Sequence, residues 1–380
     1  MALQIHNPLS GSKFINMCVA NWLLHIFVYA FIPIIVTHIH TTYNNNYLAA
    51  GWSILAFSLG MFLPGPFGAH IMERRSRKSI YLRSLLLLGP ITCVGYVLSY
   101  QLWQFVTLQV VQGAAFGLSQ TALGTTLVND ILPSKQRNKG DLIYGWAGRL
   151  GIPLGFLFGF ILLLLVPIEQ IYWWVLIPCA LSFVLVAQTN VPIKAPVKVS
   201  VITLDRFFLP KSLPLSLSMF AAPWTLGVVA NSIINIELFN CFFFACIALG
   251  VLSAFLIQIF MQRRLGQKVI ICSCYALIII ALIMQLQAYN TITTCLAYII
   301  IGCGIGGVSS RHLMDWVTKA QHCQRGTAQN TYMLSWRTIF ALGFASSMFT
   351  PTIGTTFCIV LCVLSTAVYT LWIDRKIAIY

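Results

Sequence analysis

The chain has 380 residues, 58% of them hydrophobic and only 8% charged, with a net charge of +15 and a mean hydropathy of +0.84. A soluble globular domain carries about 25% charged residues, so a soluble enzyme or binding module is excluded and a polytopic α-helical membrane protein is expected. The surplus of cations does not imply nucleic acid, because it is gathered in short loops that would face anionic lipid headgroups.

Met1–Lys13 is polar, and the apolar run after it is too long for a cleaved signal, so it reads as a first span. Further apolar runs follow, giving 14–36, 48–71, 80–100, 102–129, 140–165, 170–190, 212–234, 237–261, 268–287, 292–313, 327–347 and 351–373. A helix needs about 20 such residues to cross a bilayer core, so twelve transmembrane helices are expected in an all-α membrane protein. The longest polar interruption, Asn190–Lys211, carries prolines and charges. It divides the chain into an N-terminal six-helix bundle (1–190), a cytoplasmic linker (191–211) and a C-terminal six-helix bundle (212–380).

The basic turn Ala69–Lys78, between the second and third runs, sets the orientation. Cationic loops stay on the cytoplasmic side. With an even number of spans, 20 of the 23 Lys and Arg residues fall at the face of that turn, and the opposite loops contain none. The reading is a multi-pass protein of the cytoplasmic (inner) membrane with both termini cytoplasmic. The twelve cysteines lie mostly inside apolar runs without metal spacing and read as small apolar fillers.

The two halves repeat. Arg74 and Lys78 recur as Arg264 and Lys268, both displaced by 190; Gly113 and Gly117 recur as Gly302 and Gly306, displaced by 189. Arg137, Arg149 and Gly155 recur as Arg325, Arg337 and Gly343, displaced by 188. A nearly constant offset in three places indicates a tandem duplication of six spans. Parallel halves of this kind are a transporter arrangement with the substrate site between them.

These features resemble the major facilitator superfamily over essentially the whole chain. The family's loop between spans 2 and 3 reads Gly-x-x-x-Asp-Arg-x-Gly-Arg-Lys. The same frame here holds Ala69, Glu73, Arg74, Ser76, Arg77 and Lys78, so its glycines and aspartate are replaced while the charge pattern is kept. Gln112-Gly113 with Gly117 is similar to the family's fourth span, and Asn129-Asp130 to Arg137 to the turn after it. Gly148, Gly151, Pro153 and Gly155 resemble the fifth span of exporters, and Arg325-Gly326-Thr327-Ala328 the start of span 11. The resemblance implies two pseudo-symmetric six-helix bundles, alternating access and an efflux-type member. It also implies a gating loop of Glu73, Arg74, Arg77 and Lys78, in which Glu73 accepts hydrogen bonds from arginines or a helix N-terminus. The alternative is that the loop is a topology signal alone.

Arg149 and Arg337 are the cations placed deepest. Each lies twelve residues beyond a loop arginine, about 18 Å along a helix. An unpaired cation in hydrocarbon costs at least about 2.5–3.5 kcal/mol, and no Asp or Glu is placed at that depth. Either the pair holds an anionic substrate by guanidinium forks, or each arginine caps carbonyls or glutamines between helices. Arg311 reads as snorkelling to the nearer face. On the first span Asn21, His25 and Tyr29 share one face and are candidate substrate contacts. His25 is either a proton carrier or a hydrogen-bonded packing residue. Gln109, Gln112 and Gln120, with Trp224, Thr225 and Asn231, complete the expected lining, although Trp224 also suits simple packing. Candidates for proton coupling are His25, Glu237 and Asp141.

The expected function is a secondary transporter for a small, anionic solute, with export preferred because the resemblance is nearest to efflux-type members. Organic-anion uptake or exchange is the alternative, and a non-transporting sensor or membrane-embedded enzyme is the alternative of another class. Expected partners are a small-molecule substrate, the lipid bilayer and protons, with no nucleic acid and no cofactor; the chain is expected to be a monomer.

Overall fold

The computed structural model describes residues 8–43, 47–98, 101–133, 136–191, 200–203, 207–235, 241–261, 266–287, 290–321, 324–350 and 354–373. Their helices, in order, are α1 (Ser12–Thr42), α2 (Tyr47–Gly60), α3 (Gly65–Arg74), α4 (Arg77–Leu98), α5 (Leu102–Gln120), α6 (Val128–Ile131), α7 (Arg137–Leu165) and α8 (Ile168–Gln188). There follow α9 (Leu213–Met219), α10 (Ala221–Asn235), α11 (Phe242–Met261), α12 (Gln267–Leu286), α13 (Thr291–Lys319), α14 (Arg325–Phe349) and α15 (Thr355–Val368). Six of them, α1, α7, α8, α11, α12 and α13, are long and apolar enough to cross a membrane. Two bent pairs, α2 with α3 and α9 with α10, add two more passes. With α4, α5–α6, α14 and α15 the described residues make twelve helical passes, six in each half.

Three passes expected to be single helices are interrupted. The second bends by 46° between α2 and α3, where Pro64 and Pro66 remove backbone donors and crowd the preceding turn. The seventh bends by 53° between α9 and α10. The fourth widens into a π-helical turn at Thr121–Leu127, a feature frequent at functional sites. Elsewhere Pro33, Pro90, Pro153 and Pro178 lie inside continuous helices. Spanning helices tolerate this because neighbouring groups satisfy the freed carbonyls.

The apolar faces point outward as well as inward. Trp103, Leu165, Trp173, Ile292 and Leu371 are exposed, and α12 is largely exposed along its length, as expected where lipid is the solvent. In contrast α1 is enclosed for most of its span. It runs through the middle of the first bundle against α7 and α8. Close approach there depends on the small face of α7. A Cβ on Gly151 would come within 2.7 Å of the Trp22 carbonyl oxygen, and one on Gly155 within 2.9 Å of that of Ile26.

The internal repeat has a packing cause. Gly113 of α5 sits against the Phe57 carbonyl of α2, and Gly302 of α13 against the Ile247 carbonyl of α11, so equivalent glycines serve equivalent contacts. The bundles meet along α2 with α14 and along α7 with α11 and α13. What is described of the linker turns back onto this seam. The Thr203 amide donates to the Pro66 carbonyl and the Leu209 amide to Thr331 Oγ1, both at 3.0 Å. Asn330 Nδ2 donates to the Phe207 carbonyl at 3.1 Å. Linker residues 192–199 and 204–206 lie outside the described residues.

Candidate functional site

Arg149 comes from the first bundle and reaches into the second. Its Nη2 donates to the Ser309 carbonyl at 2.9 Å and to the Tyr332 hydroxyl at 3.0 Å. Tyr332 in turn donates to the same carbonyl at 2.7 Å, while Trp146 and Tyr332 offer ring faces to the guanidinium at 5.5 and 5.8 Å. Nη1 of Arg149 is buried and has no hydrogen-bond partner among the described residues. Arg337 makes the reciprocal crossing. It leaves α14 of the second bundle, lies 4.3 Å from the centre of the Phe116 ring and approaches His25 of α1, Nη2 to Nε2, at 2.7 Å. The duplicated arginines are thus exchanged between the bundles.

The tautomer of His25 follows from its two contacts. Nδ1 lies 2.7 Å from the Asn21 carbonyl oxygen, which can only accept, so Nδ1 carries the hydrogen. Nε2 faces an arginine, which can only donate, so Nε2 accepts and the ring is neutral. A proton placed on Nε2 would meet the guanidinium head-on. Protonating His25 and keeping its contact with Arg337 are therefore mutually exclusive.

Arg149, Arg337, His25 and Tyr332 line one small cavity between the bundles, with room for about 20 Å³ of water centres. That is about one water molecule, so this conformation is closed around the pair. A second cavity begins at Arg337 and continues past Tyr29 and Phe116 into the first bundle. Among the described residues no Asp or Glu lines either cavity. At an effective dielectric constant near 20, an anion about 4 Å from one guanidinium gains roughly 4 kcal/mol.

Several expected residues gather here and others do not. Asn21 donates to the Tyr144 carbonyl at 2.9 Å and accepts from Gln120 at 3.2 Å, which holds α1, α5 and α7 together beneath His25. Tyr29 faces Arg337 and packs edge-on to Phe340 at 5.6 Å. Gln109 and Gln112 line the second cavity. Trp224 and Asn231 line neither cavity. Trp224 stacks on Phe220 at 5.2 Å, Asn231 donates to Ser347 at 2.9 Å, and Thr225 is buried. Asp141 is buried near Arg137 and Arg325, at the end of α7 that carries the loop arginine, eight residues from Arg149. Glu237 lies outside the described residues. Arg311, expected to snorkel, is buried instead, one turn from Asp315. Among the described residues no three His, Cys, Asp or Glu side chains are grouped to hold a metal ion.

At the basic turn Arg77 Nη1 donates to both carboxylate oxygens of Asp130, at 2.6 and 2.8 Å, and Nη2 reaches Glu73 at 3.2 Å. Lys78 donates to the Ala187 and Thr189 carbonyls at 2.6 and 2.9 Å. The second bundle holds a neutral counterpart: Gln267, displaced 190 from Arg77, donates to Asp315 at 2.6 Å. The bundles are further tied by Thr121 to Asn330 (3.1 Å) at the π-helical turn, Ser58 to Thr338 (3.2 Å), and Trp146 to Gln258 (3.0 Å).

Comparison with known proteins agrees with this architecture. The chain matches the family model described as Major Facilitator Superfamily over residues 17–344. No curated protein matches it in sequence. The crystal structure of the human organic anion transporter MFSD10 (TETRAN) is similar, with a TM-score of 0.71 at 14% identity, covering 95% of this chain and 97% of that one. A mutant of the nucleoside transporter NupG is similar with a TM-score of 0.66 at 12% identity, covering 95% and 99%. At such identities these likenesses speak for the fold.

Proposed function

Starting from the chain's membership of the major facilitator superfamily, we propose that this multi-pass membrane transporter carries a small anionic solute, coupled to a proton, by alternating access. One observation supports the reading above all: two arginines from opposite bundles share a cavity with His25, and no carboxylate among the described residues lines it. Rocking the bundles apart breaks the reciprocal arginine contacts. The exposed guanidinium forks then take a carboxylate or similar group in place of the Ser309 carbonyl and the His25 nitrogen.

The His25 contact gives the coupling its sign. Once an anion occupies Arg337, Nε2 loses its donor and a proton there gains the anion's attraction. Anion and proton therefore bind together and travel in the same direction. With an inward proton gradient across an inner membrane, and both termini cytoplasmic, the carrier runs as an uptake system. Export remains the second reading, favoured by the glycine-proline pattern of Gly148–Gly155 on the fifth pass. The chain acts as a monomer, with the bundles 1–190 and 212–380 as the moving bodies on the linker 191–211. Arg77, with Glu73 and Asp130, latches the basic face, joined by Arg74 and Lys78.

The test is uptake of a labelled anion into proteoliposomes with an imposed inside-alkaline pH gradient. Accumulation that collapses with the gradient supports symport. Accumulation only when the gradient is reversed favours the export reading.

A further inference from the structure

We infer that the second cavity is an off-axis subsite that holds the apolar body of an amphipathic organic anion whose charged end sits at Arg337. The inference rests on the anion reading of the arginine pair and names the class of substrate. The cavity leaves the seam at Arg337 and runs between α1, α2 and α5 to Leu88 and Thr92 of α4. That helix packs on α5 and α8, on the flank of the first bundle. On α1 the lining extends from Phe27 to Ile35, about 12 Å along the helix axis. The walls are aromatic and aliphatic, including Phe31, Ile35, Ile54 and Leu88, and Arg337 is the sole charged group among those described.

A cavity serving packing alone would be dry and fully apolar. Here two buried glutamines line it with unmet hydrogen-bonding capacity: among the described residues Gln109, 1% exposed, leaves Oε1 without a partner, and Gln112, 4% exposed, leaves Nε2 without one. An unpartnered buried amide is costly, and a guest with a hydrogen-bonding group on its body would relieve that cost. The void admits only about 50 Å³ of water centres in this closed conformation. A guest therefore enters as the bundles part and α14 withdraws. The ligand class is an organic acid with a flat or chain-like apolar body, a polar group along it and one anionic end, not a compact inorganic anion.

The experiment measures equilibrium binding of benzoate, 3-phenylpropionate, 4-phenylbutyrate and uncharged 4-phenylbutyramide to the purified full chain in nanodiscs. Each methylene buried is worth about fourfold, so affinity should rise at least tenfold from benzoate to 4-phenylbutyrate. Thr92→Trp and Leu88→Trp fill the far end of the cavity. They should cancel that rise and leave benzoate binding unchanged, which also shows that the variants are folded. Gln112→Leu should weaken a hydroxyl-bearing analogue of 4-phenylbutyrate more than 4-phenylbutyrate itself. Equal affinity for the three acids in the wild type overturns the subsite while the arginine site stands. A rise that survives both tryptophan variants overturns it as well. Equal binding of 4-phenylbutyrate and its amide removes the anion reading itself, and the amphipathic-anion proposal with it.

Discussion

His25→Gln separates proton coupling from anion binding. Glutamine can still accept from Arg337 and donate to the Asn21 carbonyl, the two contacts that His25 makes at 2.7 Å, but it cannot take a proton. The charged groups facing His25 are Arg337 and Arg149, with no acid among the described residues. In the empty site a proton on Nε2 is repelled by Arg337. At about 4 Å and an effective dielectric constant near 20 that repulsion is roughly 4 kcal/mol, and a bound anion supplies an attraction of similar size. The anion complex thus holds the proton more readily than the empty carrier, so affinity should increase as pH falls. Linkage limits the slope to one proton per anion, a tenfold change in Kd per pH unit over the responsive range. Titration calorimetry in two buffers of different ionisation enthalpy counts the protons directly. The wild type should take up protons with the anion, at most one each, and His25→Gln none, with anion binding itself retained. Proton uptake that persists in His25→Gln, or a wild-type Kd flat between pH 5 and 8, would refute the coupling.

Other consequences can be checked separately. Arg149→Ala and Arg337→Ala should each abolish transport with membrane insertion intact, because losing one guanidinium–anion contact of roughly 4 kcal/mol weakens binding by about a thousandfold; wild-type flux in both variants would count against the cavity. Arg77→Gln removes the guanidinium from Asp130, whose side chain is 2% exposed. It should lower stability, as taking one partner from a buried ion pair does, and a second change, Asp130→Asn, should restore part of it in a thermal melt. Gly151→Val forces α7 away from the Trp22 carbonyl and the His25 side chain, each 2.7 Å from a Cβ at that position. A loss of about 1–3 kcal/mol is expected, and an unchanged melting temperature would contradict the packing. A cysteine at Ser76 should be labelled by an impermeant reagent only after the membrane is opened; labelling from outside would invert the topology.

What could be read before the structure, and what could not, has physical causes. Arg149 and Arg337 stand out in sequence because a charge in an apolar run is expensive and must have a purpose. Their partners do not. Tyr332 and the Ser309 carbonyl are ordinary residues in ordinary helices, and only the meeting of α7 with α13 and α14 makes them ligands for a guanidinium. The glycine offset is legible because backbone contact at Gly113 and Gly302 admits no side chain. The match between Asp130 and Asp315 is hidden because these residues are 185 apart, out of step with the 190 that relates Arg77 to Gln267. Trp224 and Asn231 line neither of the two cavities described. In a helix apolar all round, spacing does not tell a cavity face from a helix–helix face. The breaks at α2–α3 and at the π-helical turn left no hydropathy signal, although Pro64 and Pro66 mark the first in hindsight.

The two exchanged arginines are proposed to form one anion site. Its most direct test is the equilibrium binding of benzoate and of benzamide, matched in shape and differing in charge, to the wild-type chain and to the double variant Arg149→Ala with Arg337→Ala. The prediction is binding of benzoate alone, lost in the double variant while its fold is retained. Equal binding of acid and amide, or benzoate affinity untouched by removing both guanidiniums, would contradict it.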